Sequence, residues 1–295
     1  MIREPPAKPY TPAEAFAYCR TLALSHYENF TVASWLLPGD IRRHIYALYA
    51  FCRHTDDLGD EAAGDRLGLL DQWEADLRRC YDSAPDHPIL AALQSTVRRF
   101  QMPPEPFLKL IEANRMDQRI QRYATFADLL RYCDHSANPV GHMVLYVFGY
   151  SDERQRLSDV TCTALQLANF WQDVAVDLGK GRVYIPQEDM ERFGCSEEEL
   201  RQAIVTPGFR ALMAFEISRT RGLFCEGLKL AQLVDGRLRV SVKLFNLGGL
   251  AILAAIERNG YDVFRRRPTL SRCQQAGLFV RACLPARLRK KWATD

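Results

Sequence analysis

The chain has no C-x-x-C pair and no regular cysteine spacing; its nine cysteines are scattered singles. An odd, unpatterned set argues against a disulfide framework and suits a reducing cytosol. The first residues, Met1-Ile-Arg-Glu-Pro-Pro-Ala-Lys-Pro, lack the apolar core that a signal peptide needs. Strong net charge is missing too. A value of +3 and a pI near 8.4 are too mild to argue for a nucleic-acid partner. Long apolar runs are absent: the longest, Leu244 to Ile256, covers thirteen residues, includes Asn246, and predicts a buried helix rather than a membrane span. No Gly/Ser/Pro-rich linker divides the 295 residues, so a single domain is expected over 1–295, with a proline-rich leader at 1–10 and a basic tail at 284–295. Alternating β-type patterns are nearly absent, Arg182-Val-Tyr-Ile being the best and too short to matter.

What remains is helical. Thr11-Pro12-Ala-Glu14 has the form of a helix start, with Thr as N-cap, Pro at N1 and Glu at N3. Its apolar stripe runs through Phe16, Cys19, Leu22 and Ala23 toward His26 and Phe30. Pro38-Gly39-Asp40 breaks the chain, and a new helix is predicted from Ile41. Further periodicity predicts helices over Leu67–Tyr81, Ile89–Phe100, Pro106–Tyr123, Phe126–Phe148, Arg156–Asp177, Ser196–Ile204, Phe209–Val234 and Val240–Asn259. An all-α bundle follows, whose interior is a natural cavity. Within Phe126–Phe148, the run Ser136-Ala-Asn138-Pro139-Val140-Gly141 reads either as a kinked, small-residue wall of a pocket or as a boundary between two helices.

Two acidic patterns carry the chemistry. In Asn169-Phe-Trp-Gln-Asp173-Val-Ala-Val-Asp177 the three polar residues recur every four positions and share a helix face, flanked by Leu165, Phe170 and Val174. Carboxylates stacked at that spacing repel, so a positive group is expected beside them. Tyr49-Ala-Phe-Cys-Arg53-His-Thr-Asp56-Asp57-Leu-Gly-Asp60-Glu61 repeats the pattern twice, with Asp56/Asp60 and Asp57/Glu61. Oxygen ligands without a nearby Cys/His cluster point to Mg²⁺, which takes one or two carboxylates and fills its shell with water and phosphate. The competing reading is a pair of solvated acidic faces.

Taken together these motifs resemble the squalene/phytoene synthase family. The resemblance rests on the two acidic motifs, the lead-in Tyr49 to Arg53, Tyr132-Cys before the small run ending Val140-Gly141, and Gln166-Leu-Ala-Asn169 before Asp173. It spans His26 to Phe264, and it implies an all-α isoprenoid synthase with a central cavity. Position by position, it implies that Asp56, Asp60, Asp173 and Asp177 bind Mg²⁺ and that Arg53, on the face of Asp56, contacts a diphosphate. His26 and Asn29 fall at polar phosphate contacts. Phe30, Tyr49, Val140, Gly141 and Leu165 fall at pocket-lining positions, and Gln166 and Asn169 on the substrate side. Tyr132 matches a tyrosine proposed to handle protons or the departing diphosphate.

Three departures from the family pattern are informative: Gln172 and Glu28 stand where many members carry a positive charge, and Asn138-Pro139 changes a small-residue run. Fewer charge-assisted contacts to a diphosphate weaken ionisation of a second substrate. These variants resemble the hydroxysqualene synthase branch, in which presqualene diphosphate is ionised and a water, held by Asn138 or Tyr132, ends the reaction without NADPH. Aromatic walls at Phe30, Tyr49, Phe51, Tyr132 and Phe170 would shield the cation. The alternatives are a squalene or phytoene synthase joining two prenyl diphosphates and, from another class, a non-catalytic helical scaffold. Expected partners are a prenyl diphosphate, other enzymes of the pathway and, through Arg287-Leu-Arg289-Lys290-Lys291-Trp292, the inner face of a membrane touched from the cytoplasm.

Overall fold

A computed structural model describes residues 10–25, 37 and 39–283. His26, Glu28, Asn29, Phe30, the basic tail and most of the leader lie outside the described residues. Those described contain helices, turns and one isolated bridge between Arg122 and Val183, and no β-strand. They group into two compact units. The first comprises the chain to Arg119 together with Asp134–Gln155, and the second Ile120–Cys133 with Arg156 onward. The first acidic motif belongs to the first unit and the second motif to the second unit.

In the first unit, α1 (Pro12–Ser25) starts as its sequence predicts: Thr11 and Glu14 exchange a capping box, the Thr11 N–H and hydroxyl both donating to Glu14 Oε2 at 2.9 and 2.7 Å. The organising element is α2 (Gly39–Asp60). It buries Ile45 to Phe51 without interruption, because α1, α3 (Arg66–Asp82), α4 (Pro88–Phe100), α5 (Glu105–Arg119) and α7 (Asn138–Val147) surround it. Phe51, expected to face substrate, is fully buried between Trp73 and Phe107 and belongs to the core. Trp73 Nε1 donates to Thr55 Oγ1 at 3.0 Å, which anchors α2 one residue before Asp56.

α6 (Phe126–Ser136) ends at Ala137, and α7 starts at once with Pro139 in its first turn, where a missing N–H costs nothing. The predicted continuous helix over 126–148 is therefore two helices. In the second unit, α8 (Arg154–Gln172) and the short α9 (Val174–Gly179) divide the predicted helix 156–177 at Asp173, whose φ of −108° and ψ of 14° leave the helical well. The four-residue backbone bonds persist across that point, Asp173 N to Asn169 O at 2.8 Å and Asp177 N to Asp173 O at 2.9 Å. The chain continues through α10 (Gln187–Arg192), α11 (Glu197–Arg201), α12 (Pro207–Gly227), α13 (Leu230–Leu233), α14 (Gly236–Arg258) and α15 (Arg272–Cys283).

α14 runs to 23 residues, beyond the predicted Val240–Asn259, and by length and composition alone could cross a bilayer. Within its unit it packs against α12, α13 and α15. Its Asn246, fully buried, donates to Val242 O at 2.8 Å and Thr161 Oγ1 at 3.3 Å, so burial leaves no polar group wanting. Gly249 lets the Phe224 ring lie directly on the helix; a Cβ there would overlap the ring, whereas one at Gly248 meets nothing. Gly249→Ala is expected to lower stability by about 1–3 kcal/mol through overpacking. Gly248→Ala, which only removes helix-interior glycine entropy, should raise it by about 0.5–1 kcal/mol. Urea denaturation of both variants checks the contrast, and equal effects would mean that Phe224 does not sit where described.

Candidate active site

The first motif is built at the C-terminal end of α2. Arg53 lies one turn below the acids; its guanidinium forms an ion pair with Asp57 Oδ1 at 2.7 Å and donates a hydrogen bond to Glu61 Oε1 at 2.8 Å. The cation expected among the carboxylates is thus supplied to the Asp57/Glu61 pair. Asp56 is exposed, and its Oδ1 accepts from Asn114 Nδ2 at 3.1 Å. Gln118, one turn further along α5, donates to Gly59 O at 2.9 Å. Gly59 permits this closeness, since a Cβ would strike Asn114 Oδ1. Asn114 and Gln118 escaped the sequence reading. Their signal was a four-residue polar spacing in Glu112-Ala-Asn114-Arg-Met-Asp-Gln118, which only the facing helix makes meaningful.

Of the remaining first-unit candidates, Tyr49, Asn138 and Gly141 are buried and Val140 half-buried. Asn138 bonds Asp134, one turn earlier across the α6–α7 junction, and Asp134 also takes Lys109 Nζ at 2.9 Å. Burial raises the Asp134 pKa, but the hydrogen bond and charge from Lys109 outweigh it, leaving the carboxyl below its usual range.

The second motif sits where α8 gives way to α9. Asp173 and Asp177 are half-buried, Leu165 and Gln166 likewise, and Asn169 is exposed. Arg267 reaches Asp173 from a downstream loop with both faces of its fork: Nε donates to Oδ1 and Nη2 to Oδ2 at 2.8 Å. The hydrogen bond to Asp173, with the further charge of Asp177, raises the Arg267 pKa. A cation therefore stands where stacked carboxylates called for one. Arg267 is the third of three consecutive arginines, Arg265-Arg266-Arg267, a run with nothing in it to say that one member returns to the acidic face. Gln172 is 4% exposed, and its amide donates to Pro268 O. The side chain one residue before Asp173 thus anchors the loop that delivers Arg267.

Behind the motif lies an aromatic wall. Tyr132 packs within 5.7 Å of Tyr123 and Tyr184 and 6.1 Å from Phe170, while Phe170 and Tyr184 stack at 3.9 Å. The Arg122–Val183 bridge, with Val183 N donating to Gln121 O at 2.9 Å, holds Tyr184 against this cluster. A small pocket opens beside it, lined by Phe170, Val174, Tyr184, Asp177 and Arg182.

The wall and the motif share a support that sequence reasoning missed. Trp171 is fully buried; its Nε1 donates to Thr220 Oγ1 at 2.8 Å, and Thr220 donates to Glu216 O at 2.8 Å. Glu216 is itself fully buried, paired with Arg219 at 2.6 Å, and Arg219 also bonds Asp189 at 2.8 Å and covers the Phe126 ring at 3.4 Å. Burial pushes the Glu216 pKa up to about 8 despite Arg219, with the second carboxyl, Asp189, adding to the rise. The signal for it was a lone acid within the apolar run Leu212-Met-Ala-Phe-Glu216-Ile217.

No group of three or more His, Cys, Asp or Glu side chains forms a metal cage among the described residues. Mg²⁺ fits such a donor set, because it is held by one or two carboxylates and completes its shell elsewhere. At Asp173 the fit carries a condition: both carboxylate oxygens face Arg267, so a cation binding there must share or displace that fork.

An all-helical chain whose aspartates recur at four-residue spacing beside aromatic walls has the composition of an isoprenoid synthase. The chain belongs to the squalene/phytoene synthase family, whose model matches residues 24–274 and whose members act on prenyl diphosphates. It is 51% identical to squalene synthase HpnC from Alicyclobacillus acidocaldarius, a crystal structure aligned with a TM-score of 0.82 over 85% of this chain and 96% of that one. A dehydrosqualene synthase with a bound ligand aligns at 26% identity and a TM-score of 0.85, covering 92% and 96% of the two chains. The 15-cis-phytoene synthase of Synechococcus elongatus is 34% identical over 90% of this chain and 93% of its own. Membership sets aside the non-catalytic scaffold.

The raised pKa of Glu216 has a definite sign. The folded state keeps a proton that the unfolded chain loses above about pH 4.5, so this contribution is full below that value and lost as pH rises through about 8. His44 and His87, pushed down to about 4 chiefly by burial, act below pH 6.5 and leave the upper window clear. The wild-type urea midpoint should therefore fall between pH 6.5 and 8.5. Glu216→Gln, which mimics the protonated acid, should flatten that slope; an unchanged slope would assign the loss to another group.

Proposed function

We propose that this enzyme is a hydroxysqualene synthase, ionising presqualene diphosphate and letting water capture the cation, within squalene and hopanoid biosynthesis. The observation that carries the reading is Gln172. A position that resembles a cationic site in relatives holds a neutral amide, buried and committed to Pro268 O, so it brings no charge to Asp173. The 51% identity to a protein named squalene synthase supports the squalene branch.

In this reading Asp56 and Asp60 of the first motif, and Asp173 and Asp177 of the second, would each hold Mg²⁺, with Asn114 orienting Asp56. When bound, Mg²⁺ neutralises charge building on the departing diphosphate. The chain's own part is binding and shielding. Arg267 offers a planar fork that matches phosphate as well as it matches Asp173, and Arg53 offers a second guanidinium. Tyr132, Phe170 and Tyr184 exclude bulk water and present π faces to positive charge. Asn138 and Tyr132 are the two side chains offered to position the quenching water. No nicotinamide cofactor enters the scheme.

A second reading, condensation of two prenyl diphosphates, is favoured by Arg267, which returns to the second motif a charge that Gln172 lacks, and by relatives named phytoene synthase. One experiment separates the readings. Purified enzyme with presqualene diphosphate and Mg²⁺, without NADPH, should release hydroxysqualene that carries label from H₂¹⁸O. Efficient consumption of farnesyl or geranylgeranyl diphosphate alone would move the protein to the condensing class. Asp56→Ala and Asp173→Ala should each lower turnover by about 10³-fold or more while the helical circular dichroism stays intact. Turnover that survives both would remove the acidic motifs from the mechanism.

A further inference from the structure

We propose that the outer face of α15 docks on an anionic membrane surface. This helix is attached to its unit by one edge only. Ala282 is its buried residue and Leu278, one turn earlier, is half-buried. Lys243 of α14 donates to Ala282 O at 3.4 Å, and α14 is the helix that α15 packs on. Everything else in Arg272–Cys283 is exposed.

That exposed surface is not the polar one expected of a helix facing water. Cys273, Ala276, Val280 and Cys283 recur at three- and four-residue steps, so they share the face opposite Leu278 and Ala282. Phe279 borders the face. Val280 is 58% exposed and Phe279 38%, which puts two large apolar side chains in water on a twelve-residue helix. Two arginines, Arg272 and Arg281, flank them.

The charge around this face names the occupant. From Thr269 to Thr294 the sequence contains Arg272, Arg281, Arg287, Arg289, Lys290 and Lys291 and no Asp or Glu. Residues 284–295 lie outside the described structure, and their sequence adds Leu284, Leu288 and Trp292 to those cations. Exposed apolar side chains set among arginines, with no acid to repel a lipid phosphate, have the composition of an interfacial helix. A protein partner of opposite charge would satisfy the arginines, but not the apolar strip lying among them as a bilayer boundary does. Anionic headgroups satisfy both, the cations at phosphate depth and Phe279 and Val280 below it. The inference needs no assumption about the reaction.

The test uses the full-length protein and sedimentation with vesicles of phosphatidylcholine alone or with phosphatidylglycerol added. Binding to the anionic vesicles should exceed binding to neutral ones by about tenfold or more and weaken as salt is raised. The double variant Phe279→Asp, Val280→Asp should lose most of that binding with its circular dichroism unchanged, and Arg281→Glu alone should weaken it. Asp173→Ala should still bind vesicles, so loss of turnover and loss of docking are read separately. Equal binding to neutral and anionic vesicles, or undiminished binding by both variants, would overturn the proposal. So would self-association that the double variant abolishes in a protein that ignores vesicles.

Discussion

Repulsion between carboxylates one helical turn apart is the constraint around which this chain is arranged. Three such pairs occur, and each imposes a cost unless a cation or a polar donor faces it. Two of the pairs recruit arginine, and the recruitment differs in kind. Arg53 comes from the same helix, four residues before Asp57, and its placement follows from helical geometry. Arg267 comes from 94 residues downstream of Asp173 and depends on the whole second unit being folded. At the Asp56/Asp60 pair, Asn114 of a neighbouring helix donates to the Asp56 carboxylate.

The same distinction explains what the sequence could tell. Helix positions were legible because period 3.6 is local: Arg66–Asp82 and Pro88–Phe100 fall within a residue of their predicted bounds. Breaks at Ala137 and Asp173 were less so. At Ala137 the residues allowed both a kinked wall and a boundary, and the boundary was realised. At Asp173 no proline or glycine marks the interruption; the bidentate hold of Arg267 and the anchoring of Gln172 on Pro268 act on the two residues where the helix leaves its regular path. The acids themselves were legible, since spacing displays them. Their partners Asn114 and Arg267, and the support through Thr220 and Glu216, were not, because each is defined by a neighbour distant in sequence.

Glu216 shows how much the second unit depends on a polar group kept away from water. A fully buried carboxyl is tolerated because Arg219 pairs with it and because it retains its proton to about pH 8. Arg219 in turn connects α12 to Asp189 of α10 and to Phe126 at the start of α6, the helix that carries Tyr132. The backbone carbonyl of Glu216 receives Thr220, which holds Trp171 two residues before Asp173. One segment of α12 thus fixes both the aromatic wall and the approach to the second motif. The conservative amide keeps an acceptor for Arg219, whose charge Asp189 meets at 2.8 Å, and is therefore the informative change.

The choice between one diphosphate and two turns on how positive charge is distributed rather than on its total. Gln172 removes a cation beside Asp173, and Arg267 brings one back from a loop. A charge fixed on the motif helix and a charge on a returning loop are not equivalent. Arg267 is engaged with Asp173 through both donors and is half exposed, so serving a phosphate means leaving or sharing that carboxylate. A resident Lys or Arg at position 172 would face no such competition, being in place before substrate arrives. An enzyme that must ionise two diphosphates in sequence gains from resident charge, because the second ionisation follows departure of the first anion. One that ionises a single diphosphate can use a cation that exchanges one anion for another. The buried amide of Gln172 thus withholds a resident charge while Arg267 supplies an exchangeable one, and the two weigh on opposite sides of the choice between one ionisation per turnover and two.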